Sequence, residues 1–252
     1  MPTRPMRSQV IVRNTQPRDL EAICEICRRI YPGIAPWETK HLQQHLDIFP
    51  QGQLVAVDEQ TQQVLGSASS LIINWDDYNL HTNWRDFTDN GRFTNHDTHG
   101  KTLYGADVMV DPEQQGRGIG KKIYAARREV ARSFSLKRIR AGARLRGYHR
   151  YQDKLSPEEY AFKIINGEIG DPTLSFQIKQ GFRVLGVVRE YLRHDAESCG
   201  HAAVIEWVNY RVAQRRDTYG RDPRFAKHRK KKPSDLNAMN LSRNSALHRA
   251  LW

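Results

Sequence analysis

Cysteine is scarce in this sequence, with three residues in 252, and that scarcity excludes a small scaffold held together by disulfides. Long apolar runs are also absent, since no stretch approaches the roughly 20 apolar residues that cross a bilayer. The N-terminal segment MPTRPMRSQV lacks the apolar core of a secretory signal. These absences favour a reducing, cytoplasmic location, while a hydrophobic content of 38% is enough for a buried core.

Positive charge is abundant but is concentrated at one end of the chain. The net charge is +12, and residues 211–252 hold twelve Lys and Arg against three Asp, a net +9. We therefore expect a folded domain over residues 1–210 and a basic, flexible tail over residues 211–252. A tail of this kind either keeps a protein soluble or makes weak, salt-dependent contacts with RNA or an anionic surface.

The hydrophobic pattern predicts a mixed α/β domain with a central sheet, in the order β-α-α-β-β-β-α-β-α-β-β. β-branched and apolar runs predict seven strands, at residues 9–13, 53–57, 64–74, 102–110, 137–145, 181–188 and 202–208. Helical spacing predicts helices that end at Ile30, begin near Trp37, span 118–134, begin at Pro157 and span 172–180. Thr15 is the predicted cap of the first helix.

Two long connections interrupt this pattern, at about residues 75–101 and 146–170. Connections of this length are usually functional or disordered. The first contains five aromatic residues, Trp75, Tyr78, Trp84, Phe87 and Phe93. These side chains either line a pocket for a substrate or fix the connection to the core, and the sequence leaves both readings open.

The segment with the clearest chemistry runs from Val108 to Lys121 and reads VMVDPEQQGRGIGK. An apolar strand leads through a proline and a glycine-rich turn into a helix. Glycines let successive backbone N–H groups face one point, and the first turn of a helix leaves its N–H groups unpaired. Together with the helix dipole, these amides form an anion site suited to a pyrophosphate. The spacing of Gly116, Gly118 and Gly120 fits neither the P-loop nor the dinucleotide-binding pattern.

The pattern Gln-x-x-Gly-x-Gly at Gln115, Gly118 and Gly120 resembles the coenzyme A pyrophosphate loop of the Gcn5-related N-acetyltransferase (GNAT) superfamily. Gly181-Phe182, after a predicted helix, resembles a later block of that family. Residues 86–91, 140–151 and 191–195 resemble, more narrowly, the acetyltransferase-like part of bacterial proteins that carry a carbon–nitrogen hydrolase domain. The resemblance implies a three-layer GNAT-like fold with a central mixed, mostly antiparallel sheet flanked by helices.

The resemblance also implies a function, which is transfer of an acetyl (acyl) group from acetyl-CoA to an amine while both are bound, with no metal. The implied CoA-binding residues are Val108, Met109, Val110, Gln115, Gly116, Arg117, Gly118, Ile119, Gly120 and Lys121. The acceptor is an amine of a small molecule, a peptide or a protein, and the sequence does not identify it. The oligomeric state also stays open, with a dimer among the alternatives.

An attacking amine must lose a proton, so a base has to lie near the acceptor. Asp107 and Tyr104, on the strand before the glycine-rich turn, are the candidates by position. Asp107 is equally readable as an ordinary strand carboxylate in a salt bridge or in solvent. The acids of the first long connection compete for the role of base, namely Asp76, Asp77 and Asp86.

The leaving thiolate needs a proton, and the sequence offers several candidate donors for it. Gln177 stands where many members of the family have a tyrosine, and an amide cannot donate a proton at neutral pH. Tyr148 is the predicted substitute, with Tyr151 and water as alternatives. Two other functions stay open, a domain that binds acyl-CoA without turnover and a protein that associates with nucleic acid through its tail.

Three weaker patterns have structural explanations. Cys24 and Cys27 form CxxC on an apolar helical face, which favours core packing over a metal or redox site. His41 and His45 are spaced for a metal, but no third ligand is evident, so we expect a solvated helix face. The basic residues between 137 and 150 either contact an anion or are simply exposed.

Overall fold

Seven β-branched and apolar segments pair into one sheet, which satisfies their buried backbone groups. The computed structural model describes residues 9–32, 37–218 and 223–226. The strands are Val10–Asn14 (β1), Leu54–Asp58 (β2), Val64–Ile73 (β3), Thr102–Val110 (β4), Arg138–Arg144 (β5), Arg183–Val188 (β6) and Ala202–Val208 (β7). Their order is β1-β2-β3-β4-β5-β7-β6, and only the β4–β5 pair is parallel. The predicted mixed, mostly antiparallel sheet is therefore confirmed.

Helices cover both faces of the sheet. They are Leu20–Ile30 (α1), Thr39–Ile48 (α2), Trp84–Phe87 (α3), Ile119–Ser133 (α4), Pro157–Ile165 (α5), Leu174–Lys179 (α6) and Pro223–Ala226 (α7). α1 packs its apolar side against β2 on one face, and α4 packs against β1, β2 and β3 on the other. In the part of the chain that the structure describes, no helix is both long and apolar enough to cross a membrane.

β4 and β5 are paired over only part of their length. The parallel ladder joins residues 102–105 to residues 138–141 and goes no further. Both strands continue beyond it, to Val110 and Arg144. The unpaired ends leave a gap between two neighbouring strands of the sheet, and the turn into α4 begins at one side of that gap.

A β-bulge lies in β4 at the point where this gap opens. Ser69 of β3 faces Asp107 and Ser70 faces Gly105, so Ala106 is the extra residue. In a regular strand, residues three apart lie on opposite faces. The bulge instead brings Tyr104 and Asp107 to the same face, where both contact aromatic residues outside the sheet.

Two local expectations about polar residues are wrong. His45 does not lie on a solvated face, because it is 1% exposed, stacks on Phe93 at 3.6 Å and bonds to the Gly91 carbonyl oxygen. Thr15 does not cap the first helix. A short 3₁₀ turn, Pro17–Asp19, precedes α1, and the Asp19 carboxylate accepts from the backbone N–H of Gln16 at 2.8 Å. The buried positions of Cys24 and Cys27 on α1 confirm core packing.

The first long connection packs onto the sheet through its aromatic side chains. Phe87 and Phe93 are buried, and Phe87 stacks on Tyr104 with 4.5 Å between ring centroids. Trp84 donates from Nε1 to the carbonyl oxygen of Ala106, the bulged residue, at 3.0 Å. Fixing the connection to the core is thus one role of these aromatic residues.

The predicted tail, residues 211–252, lies largely outside the described residues; 211–218 and 223–226 are described. Phe225 is 0% exposed and stacks on Phe162 of α5, with 4.4 Å between centroids. Asp217 pairs with Lys137 at 2.8 Å. The chain therefore continues to pack against the domain past residue 210, and the division at that residue stays a prediction.

Candidate active site

Two glycines with positive φ shape the turn between β4 and α4. Gly116 has φ +80° and Gly118 has φ +76°, a left-handed conformation that glycine adopts without steric cost. A Cβ built on either residue would have nothing within 4 Å. Asp111 fixes the exit from the strand, because its carboxylate accepts from the Glu113 N–H and pairs with Arg29, each at 3.1 Å.

The backbone amides of this turn are unoccupied by the protein itself. No hydrogen bond among the described residues uses the N–H of any residue from 115 to 121. Gly118 is the N-cap of α4, so the free N–H groups of Ile119, Gly120 and Lys121 lie at the positive end of a 15-residue helix. An amide cluster of this kind is suited to a phosphate or pyrophosphate.

The cationic side chains near the turn differ in their availability. Arg117 and Lys121 are exposed, and Arg117 contacts Gln114. Lys122 is engaged elsewhere, since its Nζ donates to the Val10 carbonyl oxygen at 2.8 Å. Arg117 and Lys121 have no carboxylate partner in the described part of the chain, and both can therefore meet an anion at the turn.

The edge of β4 beside the gap presents backbone groups to it. Asp111 donates its N–H to Leu65 of β3 at 3.0 Å, and N–H directions alternate along a strand. The N–H groups of Val108 and Val110 therefore point into the gap, whereas that of Met109 points to β3. The gap thus offers strand-like partners for an extended amide-containing ligand.

Asp107 lies half-buried at the bulge, and two side chains donate hydrogen bonds to its carboxylate. Tyr31 OH donates to one oxygen at 3.0 Å and Trp37 Nε1 to the other at 3.2 Å. Burial raises the pKa of Asp107 above the ordinary carboxyl value, although these hydrogen bonds and the charge of Arg127 oppose the rise. A carboxylate with a raised pKa is better matched to general base catalysis near neutral pH.

The other predicted catalytic groups are placed differently. The hydroxyl of Tyr104 bonds to that of Tyr191 inside the core, and the Tyr148 hydroxyl donates to the Leu155 carbonyl oxygen at 2.8 Å. Both hydroxyls are already hydrogen-bonded within the protein, so neither is as free as a proton donor or acceptor should be. The competing acids of the first connection are exposed, namely Asp76, Asp77 and Asp86.

Gln177 supports a tyrosine that the sequence did not point to. Its Nε2 donates to the hydroxyl of Tyr124 at 2.8 Å, and its Oε1 is buried without a partner. The hydroxyl of Tyr124 has no acceptor for its own proton in the described part of the chain. Burial raises the pKa of Tyr124, so the phenol keeps that proton at neutral pH and can donate it to a ligand.

The contact between α6 and α4 places Tyr124 and Gln177 close to the glycine-rich turn. A Cβ built on Gly120 would lie 3.1 Å from the ring of Phe176, so a side chain there would require that ring to shift by a few tenths of an ångström. Tyr124 follows Gly120 by one helical turn, and its ring packs edge-on against Phe176 and Phe182. The phenol therefore lies between α4 and α6, one helical turn after the glycine-rich turn.

Sequence reasoning missed Tyr31, Trp37, Tyr124 and Arg127. The first two flank the connection between α1 and α2, and nothing in their spacing links them to β4. Arg127 did leave a signal, because it interrupts the apolar stripe of α4 formed with Ile119, Ile123 and Ala131. A charged residue in the centre of such a stripe indicates either a buried ion pair or a functional group.

Comparison with known proteins gives a family match. The model of the acetyltransferase (GNAT) family matches residues 20–153. The uncharacterized N-acetyltransferase YkwB of Bacillus subtilis (strain 168) is 31% identical over 202 residues, which cover 79% of this chain and 88% of that protein. The region matched by the family model includes β4, the glycine-rich turn and α4.

A second relative and a solved structure extend the comparison. The probable hydrolase YhcX of Bacillus subtilis (strain 168) is 38% identical over 201 residues. These cover 80% of this chain but only 39% of that protein, in keeping with the predicted likeness to proteins that carry a hydrolase domain. The GphF GNAT-like decarboxylase, solved with isobutyryl-CoA, has a TM-score of 0.64 at 21% identity and covers 79% of this chain and 98% of its own. That likeness shows the fold.

Proposed function

The chain belongs to the acetyltransferase (GNAT) family, and on that premise we propose that it transfers an acyl group, acetyl by default, from acyl-CoA to an amine in a ternary complex. One observation carries the proposal, namely the unpaired amides of residues 115–121 at one side of the β4–β5 gap, with the half-buried carboxylate of Asp107 at the bulge where that gap opens. An anion site, a strand edge and a base thus follow one another along a single path.

The chain's own groups fit the carrier. The amides of residues 115–121 would hold the pyrophosphate, with Arg117 and Lys121 as exposed countercharges. The N–H groups of Val108 and Val110 would bind the amide-containing arm as a neighbouring strand does. When bound, the carrier supplies an activated thioester, and the solved relative GphF was crystallised with isobutyryl-CoA.

Asp107 is the proposed base. Its carboxylate accepts the proton of the attacking amine, while Tyr31 and Trp37 keep the carboxylate in place from the other side. The amine nitrogen forms a bond to the thioester carbon, and the carbon–sulfur bond breaks. Tyr31 and Trp37 cover part of the site and are themselves half-buried, and fixed dipoles act more strongly where water is partly excluded.

Tyr124 is the proposed partner of the leaving sulfur. Its hydroxyl accepts a hydrogen bond from Gln177 and is left with a proton to donate. Donation to the developing thiolate lowers the energy of the transition state without metal or solvent help. Gln177, at the position where the family often has a tyrosine, then positions the hydroxyl of Tyr124 and does not itself donate a proton. Tyr104 and Tyr148 remain predicted catalytic residues with less structural support.

A second candidate function is an acyl-CoA-binding module without turnover. The amide at Gln177 favours it, because the family's usual proton donor is missing there. Its basic tail could in addition contact RNA or an anionic surface, a proposal that concerns residues mostly outside those described.

The test is thiol release from acetyl-CoA, measured across a panel of amines. We expect turnover with at least one amine, and Asp107→Asn should lower kcat by about 10²–10⁴-fold with CoA affinity unchanged. Asp76→Asn, an exposed acid of the first connection, is the matched control and should retain full activity. CoA binding with no turnover on any amine would favour the module without catalysis, and absence of CoA binding would reject both functions.

A further inference from the structure

Arg127 is a buried guanidinium without a carboxylate partner. Its side chain is 2% exposed at the centre of α4, and no ion pair in the described part of the chain includes it. Its Nε has no hydrogen-bond partner. Since a buried charge is unfavourable unless it is compensated, this arginine needs an explanation beyond packing.

The guanidinium contacts the bulge of β4 from the α4 side of the sheet. Its Nη2 donates to the Ser69 carbonyl oxygen at 3.0 Å and also to the Asp107 carbonyl oxygen. Ser69 and Asp107 face each other across the β3–β4 ladder. A single nitrogen therefore joins the two strands at the rung where the register shifts.

Gly105 provides the room for this contact. A Cβ built on Gly105 would lie 2.8 Å from Nη1 of Arg127, closer than a side chain is tolerated. Gly105 is also the last β4 residue that pairs with β5. Gly105, the bulge and the guanidinium of Arg127 are thus in contact with one another, at the point where pairing between β4 and β5 ends.

We propose that Arg127 is a positioning residue for acyl transfer, which fixes the backbone of Asp107 at the bulge and whose positive charge favours the ionised form of the Asp107 carboxyl group. The inference rests on the proposed function, because it treats Asp107 as the base. In this arrangement α4, whose N-terminus is the proposed pyrophosphate site, also holds β4, the strand that carries the proposed base.

The groups that face Asp107 support this electrostatic role. Cys27 of α1 and Tyr31, the residue after α1, are neutral at pH 7, because burial raises the pKa of both, and Tyr124 of α4 is neutral as well. Arg144 of β5 lies over the Tyr31 ring but is neutralised by Asp195. Among the described residues that face the carboxylate, Arg127 is therefore the cation without a carboxylate partner, and its charge opposes the rise in the pKa of Asp107 that burial causes.

The experiment titrates Asp107 directly, by carboxyl ¹³C NMR of the whole protein, with the resonance assigned by its loss in Asp107→Asn. Removing the charge in Arg127→Met or Arg127→Gln should move the Asp107 titration to higher pH by about one unit. Arg127→Lys keeps the charge without the planar fork, so the titration should stay near its original pH while kcat falls. The acidic limb of kcat/KM should shift by the same amount as the NMR titration.

Arg128→Met is the matched control, since Arg128 neighbours Arg127 on α4 but donates to the Gln180 carbonyl oxygen at 3.1 Å. It should leave the Asp107 titration unchanged. An Asp107 titration that does not move in Arg127→Gln, in a protein whose melting shows it folded, overturns the proposal. If Arg127→Met fails to fold, Arg127→Gln and Arg127→Lys still decide. Because NMR needs no turnover, a failure of the acyltransferase proposal would be seen separately, as absence of thiol release.

Discussion

Tyr124 and Tyr160 are both buried phenols, and their hydrogen bonds give them different roles. Tyr160 donates to Asp171 at 3.0 Å, whereas the proton of Tyr124 has no acceptor among the described residues. A buried hydroxyl that donates no hydrogen bond to the protein donates either to water or to a ligand. This difference between two similar residues makes the role of Tyr124 testable.

Tyr124→Phe removes one hydroxyl and keeps the ring that packs against Phe176 and Phe182. We expect kcat to fall by about 10²-fold, the usual loss for one donor to a developing anion, with CoA affinity unchanged. The measurement is steady-state thiol release with a fixed amine. Tyr160→Phe, the control, should lose some stability but no activity, and equal kcat values for the two variants would argue against a role for Tyr124.

On the scale of the element, the turn between β4 and α4 depends on Gly118 for two separate reasons. Its φ of +76° is strained for other residues, and its amide neighbours would face a bound phosphate. Gly118→Asp should therefore abolish CoA binding, because a carboxylate would stand against the phosphates. Isothermal titration with CoA measures this directly.

Gly167 allows the two reasons to be separated. It has φ +74° and, like Gly118, nothing within 4 Å of a built Cβ, but it follows α5 and is far along the chain from the turn. Gly167→Asp should cost similar stability and leave CoA affinity intact. Gly118→Ala should keep part of the affinity, and retention of full affinity by Gly118→Asp would mean that the turn has been misassigned.

The start of α1 gives an element-scale prediction about pH. Arg13 and the backbone N–H of Gln16 donate to Asp19 at 2.7–2.9 Å. Burial alone would raise the pKa of Asp19, but these bonds lower it overall from 3.8. A lowered pKa means that the carboxylate stabilises the fold above pH 3.8, and that this stability is lost as the pH falls through the native value.

Asp19→Asn should therefore lower the free energy of unfolding by about 2 kcal/mol at pH 7, and the difference should shrink toward zero at strongly acidic pH. Urea unfolding of both proteins across that range measures it. Glu21→Gln is the control, because the exposed Glu21–Arg28 pair, 3.5 Å apart, should contribute little at any pH. A difference that is independent of pH would assign the effect to packing and not to charge.

Across the whole molecule, the sequence predicted the order of the elements because each strand and helix has its own local period. The glycine-rich turn was predictable for the same reason, since Pro112 to Lys121 hold the whole motif. Contacts that close over long sequence distances were not. The bulge at Ala106 and the placement of Tyr31 beside Asp107 depend on pairing between distant segments, which no local pattern encodes.

The same limit explains the errors with polar residues. His45 was expected in solvent, but it is buried by Phe93 and satisfied by the carbonyl oxygen of Gly91. Arg140, one of the basic residues of β5, is 2% exposed because Glu206 of β7 pairs with it at 2.8 Å. Helical or strand spacing shows which residues share a face. It does not show whether a residue distant in sequence will pair with a polar group and so offset the free-energy cost of burying it.

The end of the described chain provides the whole-molecule prediction. Phe225 is buried against Phe162, and Asp217 pairs with Lys137, whereas residues 227–252 hold seven Lys and Arg against one Asp. Two truncations should therefore distinguish the two contributions. A protein that ends at 226 loses the basic charge but keeps the packing of Phe225, whereas a protein that ends at 210 loses both. Loss of a buried phenylalanine contact costs about 3–5 kcal/mol.

We expect the 1–226 protein to melt at the temperature of the full chain, and the 1–210 protein to melt several degrees lower. Both should keep their affinity for CoA, since no hydrogen bond or ion pair identified among the described residues joins the turn after β4 to residues 211–218 or 223–226. If the basic segment binds RNA, retention on an RNA column at low salt should be lost already in 1–226, because the charge goes with residues 227–252. Equal melting of 1–210 and 1–226 would show that Phe225 contributes nothing to the domain, and RNA retention by 1–226 would place the contact on the domain surface and not in the tail.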